Sequence, residues 1–473
     1  MKKIVRIVAI VVTLLMLCAA TVGCNFRRPD SDDGGGNGGG GNTGGGSVQE
    51  EYEINFNLPV GTTAEISVAI PDNDYERKIM NAAITGFAEK YPNIKVNLEP
   101  FDLNSYNTII PKQFEAEMLA DVVWCNSQNF YFIVSNGYAL NLDVFTQQAE
   151  EAFVFDYDAD FDSEFQAMGV YGGVRYSVPR SVDSVVCFYN KDILSKAGVD
   201  MSIIQNGWTW DDMLSVCAKV RAYYDGKGQT TYFPLDANLG WESVSYPIIK
   251  SLGGQVLNEQ GEFALTEGVS EKVVSLVQNL VTNKYIPQGS EQTSNFESGT
   301  GALLFQSTAI ENYQLRASLK DKFDIVSFPL INGEDSAIGM GYAGYFINSQ
   351  LKDQADQLNA AAAFMAYLMS YDGQQQLAAE GGLTLPSIRT DLGTENAEAN
   401  WHKKYSSQFN VEAYLWGSQY KTSEDFLNYT KAIFSASLIS AVNTYVGSYA
   451  IKAPDKAYKY FREEVEYAFD SVV

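Results

Sequence analysis

The apolar positions change period repeatedly between residues 65 and 125. The stretch EISVAIP (65–71) is short and almost continuously apolar, which predicts a buried strand. Ile79, Met80, Ala83, Ile84, Phe87, Ala88 and Tyr91 then recur at helical spacing. In NIKVNLEP (93–100), Ile94, Val96 and Leu98 alternate with polar residues, the period-2 signature of a second strand. Strand, helix and strand with short links form a βαβ unit, so the two strands should run parallel. A helix around 106–119 and the apolar run DVVWC (121–125) continue the alternation. An α/β layer built this way presents its ligand surface at the C-terminal ends of its strands. Those ends are Pro71-Asp72-Asn73-Asp74 and Cys125-Asn126-Ser127-Gln128.

The second half repeats the grammar less regularly. SVVCFYN (184–190) reads as a strand, and TWDDMLSVCAKV (209–220) as a helix capped by Thr209, with Asp212 at the reciprocal capping position. Val273, Leu276, Val277, Leu280 and Val281 mark an amphipathic helix. YAGYFIN (342–348) predicts a strand, the Ala-rich stretch 355–370 a helix, and DKAYKYFREEVEYAF (455–469) a closing helix. No short-period repeat is visible, which removes solenoids and propellers.

The N-terminal pattern is of another kind. Lys2, Lys3 and Arg6 precede an apolar run of about 14 residues, too short for a comfortable membrane span and typical of a signal peptide. Thr21-Val22-Gly23-Cys24 resembles a bacterial lipobox, which implies cleavage before Cys24 and its lipidation; a plain secretory signal with an incidental cysteine is the alternative. Residues 34–46 hold ten glycines and no apolar side chain, so this stretch cannot offset its ordering entropy. A Gly-rich coil of roughly 35 residues spans about 30–35 Å, enough to hold a domain off a membrane. The expected organisation is a leader over 1–23, a lipidated tether over 24–61, and a folded part from about 62.

Some 410 residues exceed one ordinary core, so two lobes are expected. Lys and Arg total 33 against 58 acids, a net charge of −25. Such a field repels polyanions and argues against a nucleic-acid partner. Cys125, Cys187 and Cys217 are too few and too scattered for a disulfide framework or a zinc site, and read as buried thiols. The single histidine, His402, stands beside Lys403 and Lys404, which suggests an exposed helix position. Hydrolytic triads and multi-histidine metal sites therefore have little to work with. Neither a cofactor nor a metal is expected.

At YSVPRSVDSVVCFYNKDILSKAGVD (176–200) the chain resembles the extracellular solute-binding proteins of ABC importers, in the carbohydrate-type group that includes the maltodextrin-binding proteins. The spacing from Pro179 to Tyr189-Asn190-Lys191-Asp192 matches that group's hinge-strand motif. KYPNIKV (90–96), NGWTWDDML (206–214), SYPIIKSLGG (245–254), NFESGTGALLF (295–305) and SYDGQQQLAAEGGLTLPSIRTDL (370–392) follow in the family's order. Glu117-Met118-Leu119-Ala120 and Ala309 depart from the maltodextrin pattern. The resemblance implies an α/β fold of two lobes, periplasmic-binding-protein-like, joined by hinge-crossing strands near 181–184, 341–345 and 386–390. One lobe would combine 62–181 with 342–386, the other 182–341 with 387–473.

By the same resemblance Asp183 matches an acidic hinge position that hydrogen-bonds sugar hydroxyls; a salt bridge to Arg180 is the structural alternative, and both can hold together. Asn126, Ser127 and Gln128 match a polar ligand-facing loop, or cap the following helix. Asp72 and Asp74 occupy the corresponding place after the first strand, with the same alternative. Trp241, Glu242 and Tyr246 lie in the Gly-flanked NLGWESVSYP, where an aromatic face could cover the apolar face of a sugar ring. Tyr342 stands at the second crossing, and Glu311, Tyr313 and Trp416 complete the candidate set.

The leading expectation is a monomeric, membrane-tethered lipoprotein on the extracellular face (the periplasmic side in a Gram-negative cell). It captures a sugar, expected to be an oligosaccharide, and delivers it to the ABC permease without performing chemistry. A glycosidase with two carboxylates across a cleft is the rival reading. A binding protein for a peptide or polyamine is the third; acids without opposing aromatics would favour the polyamine.

Overall fold

A computed structural model describes residues 52–470 apart from 60, 153, 162–165, 167, 259, 289–293, 308–309, 315, 380–388, 390–404 and 423–434. The leader, Cys24, the glycine tract, His402 and most of the expected third crossing lie outside the described residues. Within residues 50–473, which form one compact unit, the chain builds two sheets and passes between them.

The first sheet begins with β1 (Ala64–Pro71), α1 (Asp74–Lys90) and β2 (Ile94–Phe101). β1 and β2 are parallel with unbroken register from Ala64↔Ile94 to Pro71↔Phe101, as the βαβ pattern requires. α2 (Tyr106–Glu115) ends earlier than its apolar spacing suggests, and Glu117 takes a positive φ of 55° just beyond it. β3 (Val122–Asn126) runs parallel to β1 and leads directly into α3 (Ser127–Ser135). After α4 (Asp143–Glu151), β4 (Val170–Tyr171) and β5 (Val174–Arg175) form a separate hairpin.

The passage between sheets occurs at β6 (Val178–Ser184) and β11 (Ile338–Ile347). These strands are antiparallel, pairing Met340↔Ser184, Gly341↔Asp183 and Tyr342↔Val182, with a register shift between Ala343 and Gly344. One residue after β6 the chain enters β7 (Val186–Asn190), in the second sheet. β11 pairs with β3 over Ala343–Ile347, and at its other end Ile338 and Gly339 pair with β12 (Lys421–Thr422). Gly344 has a packing reason: a Cβ there would lie 2.1 Å from the Val178 carbonyl oxygen.

The second sheet has the order β10-β7-β9-β8, with β8 (Leu235–Asp236), β9 (Leu303–Gln306) and β10 (Phe323–Ser327). β7 is antiparallel to both β9 and β10, so the second half is not a copy of the first. Around it pack α5 (Trp210–Gly226), α6 (Glu242–Ser251) and α7 (Glu267–Thr282). α8 (Ala355–Met369) covers the first sheet; α9 (Ser435–Thr444) and α10 (Ala457–Asp470) close the second. The Thr209–Asp212 capping box forms with both reciprocal bonds.

Two hydrophobic clusters result, one centred on the first sheet and reaching one face of the second, the other on the second sheet's helices. Cys125, Cys187 and Cys217 are buried free thiols, and burial pushes the Cys125 thiol up to about 12. Trp208 and Trp210 are buried.

The start of the folded part requires a correction. Residues 52–59 were expected in the tether, yet Tyr52, Ile54 and Phe56 are buried in the first cluster. The Ile54 amide donates to Gln148 Oε1 at 2.6 Å, and the Asn55 amide to Asn359 Oδ1 at 2.8 Å. Their alternation is visible in YEINFNL, but the segment bonds to side chains on two helices and joins no sheet.

Asp236 yields a prediction. It is buried at the end of β8, and its Oδ2 accepts the Phe296 amide at 2.6 Å. Burial pushes its carboxyl up to about 7, the Phe296 bond opposes this, and the Glu297 charge adds to it. Between the unfolded value near 4 and about 7 the folded state holds the extra proton, so stability should fall as pH rises through this window. Asp236→Asn keeps an acceptor for Phe296 and should flatten that slope. Urea midpoints at pH 5 and pH 8 check it; parallel slopes in both proteins would refute it.

Candidate functional site

β1 and β3 end beside each other, and each hands over to a helix. Asn73 Oδ1 accepts the Glu76 amide at 2.8 Å, and Asn126 Oδ1 accepts the Asn129 amide at 3.0 Å, so both helix starts are capped. Both strand ends thus carry a helix N-terminus with its partial positive charge. Asp72 and Asp74 are exposed at the first of these ends; Asp72 is ion-paired with Arg77 at 2.5 Å. Ser127 opens the second helix, α3, and its Oγ faces the hinge. A Cβ on Gly341 would lie 2.7 Å from that oxygen. Gly341 is also the cross-strand partner of Asp183. The fold therefore brings Asn126, Ser127 and the Asp183 backbone to one point on the crossing strands. The side chains of Gln128, Asp183 and Glu311 lie outside the described residues.

Beneath this point sits a buried ion pair. Arg180 Nη1 donates to Glu76 Oε2 at 2.6 Å, Nη2 donates to Oε1 at 3.1 Å, and Nη1 also reaches the Tyr345 hydroxyl at 3.0 Å. Both side chains are more than nine-tenths buried. Among the described side chains, the partner of Arg180 is Glu76 on α1. Planar guanidinium matches carboxylate in two parallel bonds, and this clamp ties the crossing strand to the first lobe.

Residues 237–246 lead into a helix that packs beside β11, where a Cβ on Gly339 would lie 1.7 Å from the Ser243 carbonyl oxygen. Trp241 is half-buried and stands at the N-cap of α6. Glu242 is buried; Asn443 Nδ2 donates to its Oε2 at 3.1 Å, and Ser245 Oγ donates to Asn443 Oδ1 at 3.3 Å. Asn443 lies on α9, which continues into a π-helical turn over Tyr445–Tyr449. π-helical turns concentrate at functional sites. Gly447 in this turn packs directly on Gly240, where a Cβ would meet the Gly240 backbone at 2.6 Å.

Several of the expected ligand residues lie in the interior. Arg180, Glu242, Tyr246, Tyr313 and Tyr342 are buried and serve the interior. The Tyr342 hydroxyl lies 2.7 Å from Ser177 Oγ, and Tyr313 packs edge-on against Phe188 at 4.9 Å. Polar-tipped aromatics satisfy both burial and hydrogen bonding inside a fold, so loop glycines around them were a poor guide. Trp416 is half-buried, stacks on Tyr420 and covers Gly207. A groove of about 550 Å³ between α5 and α7, lined by Trp210, Leu214, Glu271 and Leu276 among others, contains none of the expected ligand residues.

Two half-buried residues were missed. Tyr131 on α3 packs against both hydrophobic clusters, and Tyr171 at the β4–β5 tip meets its ring edge-to-face. A signal for Tyr131 was available, since it lies four residues beyond Ser127 and so on the same helix face. For Tyr171 there was none before the hairpin was placed.

Two sheets with the chain passing between them at the antiparallel pair β6 and β11 are the architecture of a two-lobed binding protein. Residues 73–375 match the family model described as bacterial extracellular solute-binding protein, and the chain belongs to that family. It is 24% identical over 302 residues, 60% of its length, to the arabinooligosaccharide-binding protein of Halalkalibacterium halodurans; the match spans 63% of that relative. Its fold is similar to the ABC substrate-binding protein of Listeria monocytogenes in complex with cycloalternan, with a TM-score of 0.69 at 19% identity, covering 87% of this chain and 99% of that one. It is also similar to the GacH receptor of Streptomyces glaucescens, solved unliganded and with acarbose: TM-score 0.68, 18% identity, 86% and 98% coverage. These relatives are binding proteins. No helix among the described residues is long and apolar enough to cross a membrane.

Proposed function

We propose that this chain is the extracellular substrate-binding component of an ABC transporter, which captures an oligosaccharide by hinge closure and delivers it to the permease. The observation that carries this reading is that Ser127 Oγ and the Asp183 backbone meet at Gly341 on the paired crossing strands, with Asn126 opposite Ala343 beside them. A ligand held there and by Trp241 of the second lobe would touch both lobes, so its binding energy would favour the closed orientation, which a permease can read. Carboxylate, amide and hydroxyl groups suit sugar hydroxyls, and the half-buried Trp241 suits an apolar ring face. The named relatives bind arabino-oligosaccharide, cycloalternan and acarbose, all carbohydrates.

The lobes combine 62–181 with 342–386 and 182–341 with 387–473, the first extended back to Tyr52. Cys24 carries the lipid anchor, the glycine tract is the leash, and the protein acts as a monomer without catalysis. A thermal-shift screen against linear and cyclic oligosaccharides tests the binding reading, because a ligand that binds only the folded state raises the melting point. A screen in which peptides or polyamines alone shift the melting point would overturn it. Appearance of cleaved sugar would restore the glycosidase alternative. Metabolic labelling with a palmitate analogue should mark the wild type and not Cys24→Ala; equal labelling refutes the anchor.

A further inference from the structure

We infer that the packing of α3 on α9 is a latch between the two halves of the molecule, with Tyr131 as its key side chain, and that this seam sets the balance between open and closed forms. The inference rests on the hinge described above, not on the identity of the sugar.

The first observation is a ring of contacts around the crossing strand β11. α3 arrives there from the first sheet: a Cβ on Gly341 would lie 2.7 Å from Oγ of Ser127, the first residue of that helix. Two residues along, on the same face of the strand, α6 arrives from the second sheet: a Cβ on Gly339 would lie 1.7 Å from the Ser243 carbonyl oxygen. α6 is tied in turn to α9. Asn443 Nδ2 donates to Glu242 Oε2 at 3.1 Å, and Ser245 Oγ donates to Asn443 Oδ1 at 3.3 Å. α9 packs against α3, which closes the ring.

Opening a hinge must break one link of such a ring, and the links are not alike. β11 is continuous chain. α6 meets it backbone to backbone, and α6 and α9 are held to each other within the second half by hydrogen bonds. Just beyond α9, Gly447 lies against the Gly240 backbone, where a Cβ would come within 2.6 Å. Within this ring, the α3–α9 seam alone joins the two halves away from the crossing strands. Rotation about those strands therefore separates the seam and leaves the other links intact.

Tyr131 is the side chain placed at the seam. It lies four residues from Ser127, so on the same helix face and one turn, about 6 Å, further from β11. It packs against buried residues of both hydrophobic clusters. Every buried member of the second cluster belongs to 185–338 or 438–465, whereas α3 lies between β3 and β6. The contact of Tyr131 with that cluster thus crosses from one half to the other. A two-state balance responds to any contact made in one state and lost in the other, and one aromatic contact is enough to move it by about tenfold.

The test is small-angle scattering on residues 24–473 with no sugar added, where the glycine tract contributes equally to every variant. Tyr131→Ala should raise the radius of gyration above the wild-type value, because the ratio of closed to open molecules falls by about tenfold. Tyr131→Phe keeps the ring and should keep the wild-type radius. Circular dichroism and urea midpoints establish that each variant is folded. Should Tyr131→Ala not fold, Tyr131→Leu replaces it, since it retains apolar volume beside the first cluster but is shorter than the ring. A folded Tyr131→Ala or Tyr131→Leu with the wild-type radius overturns the latch. So does an equal rise in Tyr131→Phe, which would assign the effect to the hydroxyl and not to the packed ring. Neither result bears on the sugar reading, which the melting-point screen decides separately.

Discussion

Arg180→Met should lower the free energy of unfolding by about 3–5 kcal/mol, the usual consequence of leaving one partner of a buried ion pair without the other. The carboxylate of Glu76 is almost fully enclosed, and Arg180 donates to both of its oxygens. With methionine at 180 a charge would remain inside the first lobe, and α1 would lose its tie to the crossing strand. Glu76→Gln should show a loss of the same kind, because an uncompensated guanidinium is equally unfavourable. The double variant Arg180→Met/Glu76→Met should recover much of the loss, since it removes both charges and replaces them with apolar volume. Urea unfolding of the four proteins completes the cycle. If each single change costs less than about 1 kcal/mol, the pair is not the clamp described here. If the double variant is worse than either single one, the tyrosine contact at 345 or the packing around it matters more than the charges.

Asp183→Ala should weaken sugar binding by about 1.5–3 kcal/mol, the range for a hydrogen bond to a charged group. The argument is positional. Asp183 lies on β6 opposite Gly341, two residues before the chain enters the second sheet at β7. If the lobes rotate about these crossing strands, a residue on them would move little, so one acceptor there could serve a ligand in both the open and the closed state. Arg180 is held by Glu76 and Tyr345 in any case. Loss of the carboxylate should therefore leave stability nearly unchanged while affinity drops. Calorimetry with the best ligand from the melting screen, and unfolding curves as control, separates the two effects. Unchanged affinity in a folded variant would remove Asp183 from the site, though not the family assignment.

The local elements were legible because their causes are local. The strand-helix-strand run from β1 to β2, the parallel pairing it requires and the Thr209–Asp212 capping box all depend on residues close together in the chain. The crossing strands were also placed, but by resemblance to a family motif; no local pattern distinguishes β6 from an ordinary strand. The extended segment at 52–59 escaped because it is neither helix nor ladder. Its buried Tyr52, Ile54 and Phe56 follow from helices that lie about 90 and 300 residues away in sequence.

Side-chain roles divided along the same line. Asn126 and Asn73 could be recognised as caps, since a cap is defined by the next three residues. Glu242 and Tyr342 could not be recognised as interior residues. Their partners, Asn443 and Ser177, are 201 and 165 residues distant. By itself the sequence determined the α/β class, the main secondary elements and the acidic charge. Only the tertiary structure decided which polar groups are consumed inside the lobes. The physical reason is that burial is a property of the assembled layers: the same tyrosine or glutamate binds a ligand at their edge and a neighbour in their middle.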